Sequence, residues 1–202
     1  MSGPRPPLRT FFAVSPDDAA RAMLARGAEW AAKSCGGRPT RTDLIHLTLV
    51  FIGSTPRQRV ADLAAIMSAI EMPAFTLELD SIGWFRQNGI VWAGTRSPPE
   101  PLLSLQSAIA RGAERMGFSL DVRPYSPHLT LAREAHRSPP ARTITPPLSW
   151  RVGSFELMSS QFGKEGGPRY EVLHRRVLAT GAATGRPGET SEPHVIERQE
   201  TS

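Results

Sequence analysis

The sequence contains a single cysteine, Cys35, in 202 residues, so the chain has no internal disulfide bond. It also lacks any run of about 18 apolar residues, the length that a membrane-spanning helix requires. The segment MSGPRPP at the start of the chain lacks the apolar stretch of a secretory signal peptide. These absences exclude a disulfide-stapled secreted domain and favour a cytoplasmic protein with no membrane partner.

Lysine is scarce as well, because Lys33 and Lys164 are the only lysines among 24 basic residues. The other basic residues are arginines, whose planar guanidinium groups suit phosphate. With 19 acidic residues, the formal net charge is +5. This charge is compatible with a nucleic-acid partner, but a genomic bias toward arginine explains it equally well.

Hydrophobic periodicity predicts strands that alternate with helices, and the helices begin near residues 15, 55 and 97. The pattern Ser15-Pro16-Asp17-Asp18 is typical of a helix start with Ser15 as the N-cap, and Gly36-Gly37 is typical of the corresponding end. Asn88-Gly89 indicates a hairpin, which favours antiparallel pairing and an α+β fold. The predicted strands are 8–14, 45–52, 75–80, 90–94, 126–134, 151–161 and 169–180.

Residues 183–202 are polar and contain glycine and proline but very few apolar residues. Such a segment cannot bury enough apolar surface to fold, so we expect a disordered C-terminal tail. Residues 1–182 are expected to form one domain. His194 lies in the predicted tail and is not a candidate for catalysis.

One tetrapeptide, His-Leu-Thr-Leu, occurs twice, at residues 46–49 and 128–131. With five histidines in the chain, one copy is expected only about 0.003 times by chance. Side chains alternate across a strand, so His46 and Thr48 share one face of the first copy. His128 and Thr130 share a face of the second copy in the same way. The leucines of both copies are expected to point into a core.

Two such strands facing each other across a cleft would bring two imidazoles and two hydroxyls together. Histidine titrates at about pH 6.5, so one ring can accept a proton from water while the other donates one to a leaving oxygen. The threonine hydroxyls can donate hydrogen bonds to the non-bridging oxygens of a phosphate. The set therefore favours a phosphodiester substrate and direct attack by water.

Two other interpretations of the repeated motif stand beside acid–base catalysis. Each histidine could be an ordinary strand residue that is hydrogen-bonded by its neighbouring threonine. A metal site is the second alternative, but zinc needs three or four ligands, and neither strand offers another histidine or a carboxylate on the His/Thr face. We therefore expect no metal and no cofactor.

The chain resembles the 2H phosphoesterase superfamily and, within it, the bacterial RNA 2′,3′-cyclic phosphodiesterases, which are also described as 2′-5′ RNA ligases. The resemblance extends from residue 8 to about residue 179 and rests mainly on the two histidine motifs. The segments that carry it are LRTFFAV at 8–14, HLTLVFIG at 46–53, IVWAG at 90–94, PHLTLAR at 127–133 and RYEVL at 169–173. Residues 37–43 depart from the family pattern, because relatives usually carry a tryptophan there.

The resemblance implies an α+β fold of two pseudo-symmetric lobes, with antiparallel sheets lining a central groove and helices outside. It implies that His46 is the proton donor, that His128 is the proton acceptor, and that Thr48 and Thr130 bind the phosphate. Arg133 matches an arginine that often follows the second motif, and its guanidinium group can contact a phosphate. Strict alternation places Arg133 opposite His128, so this role requires the strand to end or bulge there.

These expectations define a hydrolase that opens RNA 2′,3′-cyclic phosphodiester ends to 2′-phosphomonoesters. The reverse reaction, 2′-5′ RNA ligation, would use the same residues, and a non-catalytic module that binds RNA ends is a third alternative. The expected partner is RNA with a 2′,3′-cyclic phosphate end, tRNA fragments included. The protein is expected to act as a monomer.

Several other residues are candidates for lesser roles. Six aromatic residues can stack on a base, although a core role is the more common one: Phe11, Phe12, Trp84, Phe85, Trp92 and Tyr125. The arginines Arg133, Arg137 and Arg142 are close in sequence and can follow an RNA backbone as a cluster, and a solvated loop is an equal alternative. His136 and His174 are expected in surface or packing roles, and Cys35 lacks the local motif of a nucleophile.

Overall fold

The structure, a computed structural model, describes residues 6–121, 123–162 and 167–180. Within them, three helices alternate with the strands of a β-sheet. The helices are α1 (Asp18–Cys35), α2 (Val60–Ser68) and α3 (Glu100–Arg115). The strands are β1 (Leu8–Val14), β2 (Arg38–Pro39), β3 (Leu47–Thr55), β4 (Phe75–Phe85), β5 (Ile90–Gly94), β6 (His128–Arg133), β7 (Thr143–Val152), β8 (Ser154–Phe162) and β9 (Pro168–Val177).

These strands belong to one sheet with the order β7-β4-β5-β6-β3-β1-β8-β9, and β2 adds to β6. Each pair of neighbouring strands is antiparallel. The sheet has two four-stranded halves that meet where β3 and β6 share one residue pair, Leu47 opposite Leu129. The predicted α+β fold, with antiparallel strands in two lobes, is confirmed.

The three helices lie on one face of the sheet, where α1 contacts β6 and α3 contacts both β3 and β4. Leu47 and Leu129 of the central strands are fully buried on this face, together with Leu102 and Leu105 of α3. Burial of each leucine side chain contributes roughly 1.5–3 kcal/mol of stability. The leucines of the two motifs point into the core as predicted, which leaves the opposite face for the histidines.

The start of α1 lies two residues later than the sequence predicts. Asp17 is the N-cap, and its Oδ1 accepts a hydrogen bond of 2.8 Å from the backbone N–H of Ala20. Ser15 instead donates its hydroxyl to Oε2 of Glu156 at 2.6 Å. Both residue types cap helices well, so a contact distant in sequence decides between them. The predicted end of α1 is confirmed at Gly36, where φ is 71°.

Strand β7 is absent from the prediction, which placed one strand at 151–161. The structure has two strands there, β7 and β8, separated by Gly153. Pro146 and Pro147 lie inside β7, and proline cannot donate to a hydrogen-bonded ladder, so the sequence does not predict a strand there. β7 is the terminal strand of the sheet, and an edge strand tolerates proline.

The predicted tail at 183–202, with His194, lies outside the described residues. The division into a domain at 1–182 and a disordered tail therefore stays a prediction. No helix in the described segments has both the length and the apolarity that crossing a membrane demands.

Candidate active site

The two histidine motifs lie on neighbouring antiparallel strands at the centre of the sheet. His46 immediately precedes β3, and His128 is the first residue of β6. The one register pair between these strands joins the leucines of the two motifs. Continuing that register by one residue in each direction places His46 beside Thr130 and His128 beside Thr48. The structure therefore brings the four predicted residues together on one face.

Both imidazoles have the same local geometry. Nδ1 of His46 donates to the carbonyl oxygen of Leu44, and Nδ1 of His128 donates to that of Ser126, each at 2.8 Å. A carbonyl oxygen only accepts, so these bonds place the proton of the neutral ring on Nδ1. Nε2 is then the atom that exchanges a proton with a ligand. In the first motif, the Thr48 hydroxyl lies 3.0 Å from Nε2 of His46.

Aromatic side chains form a wall beside His46. The ring centroid of Phe11 lies 5.0 Å from that of His46, and the ring of Tyr170 meets the imidazole edge to face at 5.1 Å. Phe11 and Tyr170 also pack against each other at 5.1 Å. The wall fixes the orientation of the imidazole and removes it from water.

A second aromatic wall stands beside His128. The Phe85 ring meets the imidazole edge to face at 5.1 Å, and the centroid of Trp92 lies 6.3 Å away. Gly83 lies opposite Trp92 in the β4–β5 pair. A Cβ atom at Gly83 would overlap the indole ring, so glycine at this position lets Trp92 lie flat against β4.

The pKa of each site histidine lies below its ordinary value. Burial is the largest cause for both rings, because removal from water disfavours the charged form. The hydrogen bonds to the carbonyls of Leu44 and Ser126 oppose this shift, whereas the positive charge of Arg133 lowers both pKa values further. Both rings are therefore neutral near pH 7 in the free protein.

A β-bulge in β6 decides where Arg133 points. Two consecutive residues of β5 pair with residues of β6 that are two apart, Val91 with Ala132 and Trp92 with Thr130. Cross-strand partners share a face, and Val91 and Ala132 are both fully buried in the core. The next residue, Arg133, therefore points to the face of the histidine motifs. This is the bulge that the predicted role of Arg133 requires.

A buried carboxylate, which no sequence pattern predicts, lies on the same face. Ala13 of β1 lies opposite both Thr48 and Glu156, so Glu156 shares their face. Glu156 is 3% exposed and forms an ion pair of 2.7 Å with Arg175. Its negative charge raises the pKa of His46 and so opposes part of the lowering by burial.

The aromatic candidates divide between the site and the core. Phe11, Phe85 and Trp92 contact the site histidines, whereas Phe12 is fully buried in the core. Tyr125 donates its hydroxyl to the carbonyl oxygen of Thr48 at 3.3 Å. Tyr170 is a further site residue that is not among these candidates, although it belongs to the segment RYEVL that carries part of the resemblance.

The three arginines that could follow an RNA backbone lie at two places in the structure. Arg133 faces the histidines, but the backbone N–H of Arg137 donates to the carbonyl of Cys35 at 3.1 Å, at the end of α1. Burial raises the pKa of the Cys35 thiol, and the positive charges of Arg137 and Arg142 oppose that shift. Cys35 is therefore a buried thiol on the helix side of the sheet.

The other two histidines of the described residues lie on the surface. His136 and His174 are both exposed. Across residues 6–121, 123–162 and 167–180, no group of three or more His, Cys, Asp or Glu side chains is arranged to hold a metal ion.

The fold is α+β, and its antiparallel sheet pairs two His-x-Thr motifs at the centre. These features define a two-histidine protein of the 2H class. The sequence profile of the 2′-5′ RNA ligase superfamily matches residues 15–163. The chain belongs to this superfamily.

Relatives with established names support the same placement. The chain is 35% identical over 175 residues to an RNA 2′,3′-cyclic phosphodiesterase of Escherichia coli, with 85% of this chain and 97% of the relative covered. A Thermus thermophilus protein of the same name is 30% identical over 179 residues, covering 83% of this chain and 89% of the relative. The crystal structure of E. coli LigT complexed with 3′-AMP matches with a TM-score of 0.78 and 33% identity, covering 86% and 99% of the two chains.

Proposed function

We propose that this protein hydrolyses RNA 2′,3′-cyclic phosphates to 2′-phosphomonoesters, with His46 as the proton donor and His128 as the proton acceptor. The observation that carries the proposal is the convergence of two identical motifs with matching geometry. Each imidazole is held through Nδ1, which leaves Nε2 as the atom that exchanges a proton. One ring can then serve the attacking water while the other serves the leaving oxygen.

The reaction needs two proton transfers around one phosphorus atom. Nε2 of His128 accepts a proton from water as the water oxygen attacks phosphorus. The bond from phosphorus to O3′ breaks on the opposite side, and O3′ takes a proton from Nε2 of His46. The product carries a 2′-phosphate and a free 3′-hydroxyl. The two rings look alike locally, so the assignment of donor and acceptor comes from the family resemblance.

The bound phosphate supplies the protonation state that the mechanism needs. Both imidazoles are neutral in the free protein because burial lowers their pKa values. A phosphodiester anion placed between them favours the charged form of an adjacent ring. Protonation of His46 is therefore coupled to substrate binding, and the proton donor is charged when the anion is in place.

Thr48, Thr130 and Arg133 would hold the non-bridging phosphate oxygens. Each threonine lies beside a histidine on the groove face, and a hydroxyl can donate one hydrogen bond to an oxygen on which negative charge grows. The guanidinium group of Arg133 faces the same space and can donate two parallel hydrogen bonds to a phosphate. These groups bind the anion and stabilise the transition state.

The relatives' ligands are consistent with a nucleotide phosphate in this groove. E. coli LigT has been crystallised with 3′-AMP and with phosphate, and the latter structure matches this chain with a TM-score of 0.74. Six relatives that match the chain carry the name RNA 2′,3′-cyclic phosphodiesterase. On this basis we assign the same reaction to this chain.

The direct test uses a short RNA that ends in a 2′,3′-cyclic phosphate, with EDTA in excess. The expected product is the 2′-phosphate, identified against authentic 2′- and 3′-phosphorylated standards. His46→Ala and His128→Ala should each lose activity by roughly 10²–10⁴-fold. His174→Ala, which changes an exposed histidine of β9, is the matched control and should retain activity.

Several results would overturn the proposal. A 3′-phosphate product would reverse the leaving group, and loss of activity in EDTA would indicate metal chemistry. Tight binding of the cyclic end without any opening would indicate a non-catalytic module that recognises RNA ends.

Ligation is the second candidate function, and the superfamily's name favours it. By microscopic reversibility the same histidines would join a 2′,3′-cyclic end to a 5′-hydroxyl. Water greatly exceeds 5′-hydroxyl ends in solution, so hydrolysis should dominate. Adding a 5′-hydroxyl RNA to the same assay should give a 2′-5′ joined product in minor yield.

A further inference from the structure

Arg9 lies on the groove face of β1, beyond the residues already assigned. Along this strand Thr10 and Phe12 are buried on the core side, so Arg9, Phe11 and Ala13 occupy the other face. Phe11 contacts the imidazole of His46. Arg9 is therefore the next groove-facing residue after the wall beside His46, and its side chain is exposed.

The guanidinium group of Arg9 is held in place without a carboxylate partner. Its Cζ lies 4.8 Å from the ring centroid of Phe51, whose side chain is 43% exposed. Among the ion pairs within residues 6–121, 123–162 and 167–180, none involves Arg9. Stacking on an aromatic face positions an arginine while its N–H groups stay free for an anion.

The positive charges of Arg9 and Arg133 both influence the pKa of Tyr170, whose side chain packs against His46. Ser160 of β8 lies opposite both Arg9 and Tyr170, which puts these two side chains in one row across the sheet. Burial raises the pKa of Tyr170, and the charges of Arg133 and Arg9 oppose that shift. The charge of Arg133 also lowers the pKa values of both site histidines. Arg133 is thus assigned to the cyclic phosphate as a binding residue. Arg9 lies further from the two histidines, on the His46 side.

The covalent structure of ribose determines which atoms of the substrate lie on the His46 side. If O3′ leaves toward His46, then C3′ and its neighbour C4′ also lie on that side of the phosphorus atom. C4′ continues through C5′ and O5′ to the phosphate of the preceding nucleotide. The base, in contrast, is attached through C2′ and C1′. The next anion along an RNA chain is therefore expected beyond His46.

We propose that Arg9 binds the phosphate on the 5′ side of the terminal nucleotide and so makes the protein favour oligonucleotide ends over free nucleoside cyclic phosphates. This inference rests on the proposed function, because the direction of the chain follows from His46 facing O3′. The ligand class is a phosphate ester at O5′. Arg9 is a binding residue that does not touch the reacting atoms.

The test compares two small substrates, a nucleoside 2′,3′-cyclic phosphate and its 5′-phosphorylated form. The wild-type protein should show a kcat/KM about tenfold higher for the phosphorylated substrate, a typical effect of one charge-assisted hydrogen-bonded pair. Arg9→Gln should reduce this ratio to near one, and Arg9→Lys should retain part of it. Arg111→Gln on α3, which lies on the helix face of the sheet, should leave the ratio unchanged.

The outcomes separate this inference from the proposed function. Opening of both substrates with a ratio near one in the wild type, or an unchanged ratio in Arg9→Gln, would overturn the role of Arg9 while the hydrolysis stands. Failure to open the 5′-phosphorylated substrate by protein that opens the RNA cyclic phosphate would overturn the inference alone, and failure on the RNA as well would overturn the proposed function with it. A circular dichroism spectrum of Arg9→Gln confirms that the variant is folded.

Discussion

At the residue scale, the site depends on contacts that a strand pattern does not specify. The repeated motif predicts which side chains share a face, and the structure places His46, Thr48, His128 and Thr130 together. The sequence does not predict that both rings donate Nδ1–H to a carbonyl two residues earlier. That contact depends on the chain leading into each strand, which has no motif of its own. The bulge that turns Arg133 toward the groove is likewise invisible to simple alternation.

The pKa values of the two histidines lead to a prediction for the pH dependence of kcat/KM, which reports the free protein. A base must be neutral and an acid protonated, so the profile is bell-shaped. Because burial lowers both pKa values, activity should fall as pH rises through the lowered pKa of the acid. The optimum should therefore lie below about pH 6.5, the ordinary pKa of histidine.

Removal of the charge of Arg133 should move this profile. Arg133→Gln takes away a positive charge that lowers both pKa values, so both limbs should shift to higher pH while kcat/KM falls. Arg111→Gln, a change on the helix side, serves as the control. An optimum above the ordinary histidine pKa, or an unmoved profile in Arg133→Gln, would argue against this electrostatic account.

At the element scale, strands with clear alternation or aromatic and β-branched residues were predictable. The bounds of β1 and β5 agree with the prediction, because turn residues flank each run. β7 was missed because Pro146 and Pro147 argue against a strand, and only the sheet order places them at an edge. The cap of α1 differs because Glu156, distant in sequence, accepts the hydroxyl of Ser15.

The packing of β4 against β5 leads to a prediction about stability. Gly83→Ala would introduce a methyl group where the Trp92 indole lies, which should lower the free energy of unfolding by about 1–3 kcal/mol. Gly153→Ala is the matched control, because its methyl group would meet no atom within 4 Å. Urea denaturation of both variants measures the difference. Equal stabilities would show that Trp92 does not depend on Gly83.

At the scale of the whole molecule, two halves of one sheet form a single site. The sequence predicts two similar motifs but carries no local signal that β3 and β6 lie side by side, since their residues are far apart in the chain. Only the complete strand order shows that β3 and β6 are neighbours in the sheet. The tail at 183–202, the monomeric state, the cytoplasmic location and tRNA fragments as substrates stay predictions.

The central claim is that the two histidines divide proton donation and proton acceptance between them. A phosphodiester with an activated leaving group, such as a p-nitrophenyl ester, needs no proton at the leaving oxygen but still needs a base for water. The rate of His46→Ala on this substrate should therefore recover toward that of the wild type, whereas the rate of His128→Ala should stay low. Recovery of His128→Ala alone would reverse the assignment, and full activity of either variant on the RNA cyclic phosphate would contradict the two-histidine mechanism.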